Sequence, residues 1–497
     1  MKEKEENNKG IREALEELGR EDFYPFHMPG HKRRIDTHPL KKAYEMDITE
    51  IDGFDNLHHP QGLILEVMNR AKSLYGTKET FLLVNGSTAG ILTAIHACVP
   101  YGEKIIISRN SHKSVYNAIA LLNLKVVYLQ PERLPEWDMA AGISTEAAQR
   151  VIWENPDAKA VLVTSPTYEG FTSPIREIAD LAHAAGMPLI VDEAHGAHFP
   201  FSVHFPQSAI SQGADLVIQS LHKTMPSLTQ TALLHFQGNL VELRLVKRFL
   251  SVFQSSSPSY LLMGSIDDCI RLTRKKGEAL WKEVLQQSDE LYEQTRGLKH
   301  IRVRCGREAE KSHGASAEKN GCRDPLKLIL APIKGAEKER KPYTGAELYR
   351  ELLESYHLQM EMMAPSFVLG ILTCMDDESG FNRLKKALIE IDQRLTLSKK
   401  IPGQMRDGSI CRDLPEAVES IGEALQKEKE WIFLSQAEGR EAADYINLYP
   451  PGIPLIVPGE VISRDLVVTL LTYSKQDLPL QGIKGNKISV IKGNLNL

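Results

Sequence analysis

The 497-residue sequence has six cysteines and no CxxC pair among them. Scattered at Cys98, Cys269, Cys305, Cys322, Cys374 and Cys411, they argue against a disulfide framework and a zinc ribbon. No apolar run reaches the roughly 20 residues that a membrane-spanning helix needs. The start, MKEKEENNKGIREALEELG, is charged and helical, unlike a signal peptide. A basic surplus is missing too: the net charge is −5, which leaves no electrostatic footprint for nucleic acid. There is no GxxxxGKS/T stretch, so DEAH at 192–195 is not a helicase nucleotide box. There is no HExxH either. Pro29 and Gly30 break any helix that would align His27 with His31, and His195 and His198 lack a general-base glutamate, so no metal centre is expected. A reduced, cytoplasmic protein is the expectation, and 42% hydrophobic residues suffice for more than one core.

What is present is alternation. TFLLV, KIIIS, KVVYL, AVLVT, PLIVD and ADLVIQ read as short buried strands, and STAGILTAIHACV, HKSVYNAIALLNL and IREIADLAHAAG as intervening helices. This pattern predicts an α/β fold with a mostly parallel sheet between helices. Four regions are expected. Residues 1–62 hold an N-terminal helix and a loop segment, 63–297 a large ligand-binding domain, 298–398 a smaller α/β domain, and 399–497 a C-terminal domain. The polar stretch GREAEKSHGASAEKNG at 306–321 reads as a loop outside any site.

Ligands of open parallel sheets gather at the carboxyl ends of the strands, and here those ends are unusually polar. One strand runs into Asn85-Gly86-Ser87-Thr88 and then a helix, which is either a plain serine cap or an anion site. Another ends in Arg109-Asn110-Ser111-His112, where the histidine either caps a helix or covers a flat ring. A third ends at Thr164, a fourth in Asp192-Glu193-Ala194-His195, and a fifth in Ser220-Leu221-His222-Lys223. An aspartate after so apolar a strand is costly to bury unless a cation or donor meets it. A structural Lys–Asp pair would account for two of these residues. Pyridoxal 5′-phosphate accounts for the set. Its phosphate suits Ser87, Thr88, Ser220 and His222, its ring nitrogen Asp192, its ring face His112, and its aldehyde Lys223.

The motifs FHMPGHK, VNGSTAG, RNSHKSV, TSPTYEG, VDEAHGAHF, GADLVIQSLHKT, QSSSPSYLLMGSID and YPPGIPLIVPGE, in this order, resemble the Orn/Lys/Arg decarboxylase family. That resemblance implies the aspartate-aminotransferase fold (fold type I) and decarboxylation of lysine, ornithine or arginine to cadaverine, putrescine or agmatine, in polyamine biosynthesis. It also implies roles. Lys223 would form the Schiff base, Asp192 would hold the pyridine nitrogen, and His112 and Ala194 would take the two ring faces. Thr164 and His195 would line the site, and Ser255 would reach the phosphate of a partner subunit's cofactor. A homodimer or dimer-based oligomer with shared sites follows. Larger members begin with a receiver-like wing domain that builds rings of dimers. This chain resembles a short form without it, so a decamer is not expected.

Asp47, Glu50, Asp52 and Asp55 stand as candidates for the substrate's basic end, against the plainer reading of a solvated acidic loop. The competing readings are another fold type I enzyme, such as an aminotransferase, and a non-catalytic homologue that binds the cofactor for regulation.

Overall fold

The computed structural model describes residues 9–21, 28, 29, 32, 40–134, 137, 139–307, 322–333, 343–397, 414–449 and 452–493. His27, His31, Cys411 and most of the 306–321 stretch lie outside these residues. The chain forms two compact units, one from Met1–Cys98 with Ile175–Trp281, the other from Val99–Pro174 with Lys282–Leu497.

In the first unit, strands Glu79–Leu83, Ala232–Phe236, Leu216–Ser220 and Leu189–Asp192 lie side by side in that order. Leu189–Asp192 and Leu216–Ser220 are parallel, whereas Ala232–Phe236 runs against both of its neighbours. The middle strands are buried along their whole length, which is why they read as unbroken apolar runs rather than as alternation. Helix Gly86–Cys98 packs closely on this sheet. A Cβ at Gly90 would stand 2.7 Å from Leu83 and 3.0 Å from Ile218, so only glycine permits the approach.

The amino-terminal helix Ile11–Arg20 is held by a buried charge cluster. Asp267 accepts from the Ile11 N–H at 3.1 Å and from the Arg70 guanidinium at 2.8 Å, with Arg271 at 3.1 Å. Helix Leu63–Tyr75 owes its start to Asp55, whose two carboxylate oxygens accept N–H bonds from Asn56, Gln61, Gly62, Ile64 and Leu65 at 2.8–3.3 Å. These donors include first-turn groups that have no partner within the helix.

In the second unit, Val161–Thr164, Lys104–Ser108 and Lys125–Leu129 form a parallel set. An antiparallel sheet of Ile301–Arg304, Lys327–Pro332, Val368–Ile371 and Met362–Met363 follows, with helices Gly345–Tyr356 and Glu378–Leu397. The last stretch builds two small sheets and helix Arg464–Lys475 around Ile446, Ile456, Leu466 and Leu470. Among the described residues no helix is long and apolar enough to cross a membrane, and no cluster of side chains could hold a metal ion.

Candidate active site

The first unit gathers most of the residues expected at the ligand. Strand Leu216–Ser220 passes directly into the short helix Leu221–Thr224. Lys223 Nζ there donates to His195 Nε2 at 3.2 Å. Asp192 ends the neighbouring strand, is 4% exposed, and accepts the Ala194 N–H at 3.2 Å. Burial pushes the Asp192 carboxyl up from its ordinary range, while the positive charge of Lys223 and the Ala194 N–H pull it back. A carboxylate in that position is stabilised by a further cation.

On the same unit Ser87 and Ser220 hydroxyls meet at 2.6 Å. Ser87 stands in the first turn of helix Gly86–Cys98, beside the exposed Thr88. Two hydroxyls and the N–H groups of a helix start are a donor set made for an anion. His222 donates through Nδ1 to the Thr231 carbonyl at 2.9 Å, which puts the neutral ring's proton on Nδ1. Burial and the Lys223 charge lower its pKa, and a bound anion would raise it. These groups fit pyridoxal phosphate: an amine for the aldehyde, a buried acid for a ring nitrogen, and hydroxyls at a helix start for the phosphate.

His112 and Thr164 lie in the second unit. His112 caps helix Lys113–Leu122, its Nδ1 accepting the Ser114 N–H at 3.2 Å. The capping alternative is therefore realised, and it occupies one ring nitrogen while using neither ring face. Thr164 Oγ1 donates to Ser111 at 3.5 Å, joining the ends of two adjacent strands. Tyr449 and Gly452 of the carboxy-terminal YPPGIP motif return to this place. Gly452 has φ +82°, and a Cβ there would stand 3.8 Å from His112 and 3.3 Å from Tyr449, whose ring also lies 5.6 Å from the Lys113 ammonium.

The structure changes one expectation. Asp55 is fully engaged by backbone N–H groups, so it is a helix cap rather than a receptor for a basic side chain. Burial raises its carboxyl, but the N–H bonds of Gln61, Gly62, Asn56 and Leu65 together win and lower its pKa. Glu50, by contrast, keeps a buried carboxylate oxygen with no donor among the described residues. Ser255 is exposed, and its hydroxyl donates to the Ser257 carbonyl at 3.3 Å.

Sequence reasoning missed a buried pair in the second unit. Arg109 donates to Glu460 at 3.1 Å, to the Tyr116 hydroxyl at 2.9 Å and to the Pro454 carbonyl at 3.0 Å. Burial works against both charges. At Arg109 the charges and hydrogen bonds of Tyr116 and Glu460 more than offset it and raise the pKa, whereas at Glu460 burial wins and raises the carboxyl. Both ends sit in motifs already singled out, but nothing in either motif names its partner.

Comparison with known proteins agrees with this chemistry. The family described as Orn/Lys/Arg decarboxylase, major domain, matches residues 11–374, and the C-terminal domain of the same family matches 411–478. An arginine decarboxylase of Bacillus subtilis is 32% identical over 473 residues, 94% of each chain. A lysine decarboxylase of Pseudomonas aeruginosa is 24% identical, covering 90% of this chain and 73% of its own. In fold, the solved constitutive lysine decarboxylase of E. coli superposes with a TM-score of 0.82 at 19% identity, over 97% of this chain and 82% of that one. On motif order, site chemistry and similarity along nearly its whole length, the chain belongs to the Orn/Lys/Arg decarboxylase family.

Proposed function

We propose that this chain removes the α-carboxyl group of arginine, with lysine and ornithine as poorer substrates, and that it works as a homodimer in the cytoplasm, supplying polyamine synthesis. One observation carries the catalytic reading: Lys223 is delivered by a strand end to within 3.2 Å of His195, in the field of the buried Asp192. The preference for arginine is supported by relatives named arginine decarboxylase, 31–32% identical over at least 90% of this chain, against 21–24% for those named lysine decarboxylase.

Pyridoxal phosphate, when bound, supplies a ring that accepts the electron pair left behind as CO2 departs. The chain's own residues do the rest. Lys223 Nζ is the amine that anchors the aldehyde, and His195 Nε2 takes a proton from it, leaving the nitrogen lone pair free. Asp192 would hold a proton on the ring nitrogen of the bound cofactor and so keep its ring electron-poor. Ser87, Thr88, Ser220 and His222 would bind the phosphate, and His112 and Ala194 would take the ring faces. A proton held on Lys223 or His195 then replaces the carboxylate at the substrate's Cα, which balances the reaction as amino acid plus proton giving amine plus CO2. Ser255, exposed on its own protomer, would serve the phosphate of the neighbouring one.

The test is release of labelled CO2 from carboxyl-labelled arginine, lysine and ornithine, each with the cofactor, and with Lys223→Ala as control. Release from arginine that the substitution abolishes is expected. No release from any of the three, despite a borohydride-reducible link at Lys223, would overturn the assignment.

A further inference from the structure

Beneath the site, the first unit contains a chain of buried polar groups with no part in holding the ligand. Glu193 follows Asp192, and Gln219 precedes Ser220; the strand pleat sends such neighbours to opposite faces. Ser220 meets Ser87, while Gln219 meets Glu193, its Nε2 lying 2.6 Å from Oε2. Ser208 adds a hydroxyl to the same carboxylate at 2.7 Å, and Ala209 its N–H at 2.7 Å. Beyond Gln219 come His235 Nε2 at 3.1 Å, then Thr80 Oγ1 at 2.9 Å from His235 Nδ1, then Thr77 at 2.6 Å from Thr80. Glu193, Gln219, His235 and Thr80 are each at most 2% exposed.

Donor logic fixes the direction of this chain. Both Glu193 oxygens already accept, from the Ser208 hydroxyl and the Ala209 N–H, so the Gln219 amide turns its NH2 to Glu193 and its oxygen to His235. Burial takes the His235 pKa down to about 3, so the ring carries a single proton. That proton belongs on Nε2, facing the Gln219 oxygen, and Nδ1 accepts from Thr80. Thr80 has then used its only proton and accepts from Thr77. Every donor points toward Glu193. The chain crosses the four described strands of this unit, from Glu79–Leu83 to the end of Leu189–Asp192.

We propose that Glu193 is a positioning residue: as the acceptor on which this chain of donors ends, it fixes the two strand ends that carry Asp192 and, through Gln219 and Ser220, Lys223. The inference rests on reading Lys223 and Asp192 as the cofactor's anchors. It adds a residue that touches neither cofactor nor substrate. A buried network held at 2.6–2.7 Å around one carboxylate loses its geometry once a donor faces a donor or an acceptor faces an acceptor.

The experiment is a charge swap within the pair. Gln219→Glu puts two carboxylates face to face. Glu193→Gln with Gln219→Glu restores complementarity: the new amide donates to the new carboxylate, which still accepts from His235. Two readouts are taken for each protein: the dissociation constant of pyridoxal phosphate, and amide hydrogen exchange over 219–224 in the cofactor-free protein. The single variant is expected to weaken binding and speed exchange by about tenfold or more, and the double variant to return within about twofold, the range of couplings found between contacting residues. Unchanged readouts in Gln219→Glu, or a double variant no better than the single one, would overturn the proposal.

Should Gln219→Glu fail to fold, Glu193→Gln carries the test. There the chain of donors reverses, the His235 proton moves to Nδ1 in the nitrogen NMR spectrum, and cofactor affinity falls. An unmoved proton with wild-type affinity would refute the idea. Borohydride reduction followed by mass mapping of Lys223 in the wild type separately tests the site reading, and the exchange readout does not depend on its outcome.

Discussion

Glu460→Ala removes the only carboxylate that the described structure gives to the buried Arg109 guanidinium, a group 11% exposed in its side chain. A guanidinium cannot shed its charge, so the variant leaves it facing the Tyr116 hydroxyl and two carbonyls. Breaking a buried pair in this way costs about 3–5 kcal/mol. A chain of this size need not unfold in one step, so the assay is local: hydrogen exchange over 109–116 and 446–460. The lower figure corresponds to exchange faster by about two decades.

The reverse variant, Arg109→Met, behaves differently with pH. It removes the charge that holds the Glu460 carboxyl down, so the folded pKa rises further above the unfolded one. Such a group contributes stability below its unfolded pKa and loses it as pH rises through the folded value. The penalty of Arg109→Met therefore shrinks toward acid, while that of Glu460→Ala, which removes a carboxyl already raised by burial, grows toward acid. Unchanged protection in Glu460→Ala, or a pH-independent penalty in Arg109→Met, would refute the reasoning.

Glu193 and His235 give opposite pH slopes to the cofactor-free protein. Burial raises Glu193 from 4.5 to about 7, so its contribution is present at low pH and lost as pH rises through 7. Burial lowers His235 from 6.5 to about 3, so its contribution is present above 6.5 and lost as pH falls through 3. Thermal melts between pH 5 and 8, taken relative to wild type, should tilt toward higher stability at alkaline pH for Glu193→Gln and toward higher stability at acid pH for His235→Gln; equal tilts would be fatal to both assignments. Asp55→Ala should cost about 1 kcal/mol or somewhat more, seen as faster exchange in the first turn of helix Leu63–Tyr75, with the KM for arginine unchanged. Glu50→Gln should raise the arginine KM several-fold and leave that helix alone. An unaltered KM would return Glu50 to the status of a structural acid.

The strands and helices of the α/β core were legible because their periods are local: apolar runs of four to five residues, each closed by polar groups. The grouping of the candidate residues was legible for a related reason: parallel strands bring their carboxyl ends to one edge, and Asp192 lies in the field of Lys223 within one unit. What stayed hidden depends on partners that no local pattern specifies. Asp55 caps a helix through donors up to ten residues away, outside the usual capping-box spacing. Glu193 sat between two residues assigned to the ligand, and only the pleat reveals that it turns away. Arg109 and Glu460 lie 351 positions apart in the chain. The helix start near residue 112 was placed one residue early because His112, the cap, belongs to the motif but not to the helix.

The family is recognised as two stretches, 11–374 and 411–478, a division that invites treating the second as an appendage to be trimmed or exchanged. Gly452 argues otherwise. A Cβ there would touch His112 at 3.8 Å and press on Tyr449 at 3.3 Å, and the φ of +82° strains any residue other than glycine. A shuffled hybrid taking its first stretch from one relative and its second from another would inherit this seam from two lineages. Gly452 and His112 thus touch although they fall in different matched stretches, and hybrids that draw them from different relatives should be under-represented among viable ones.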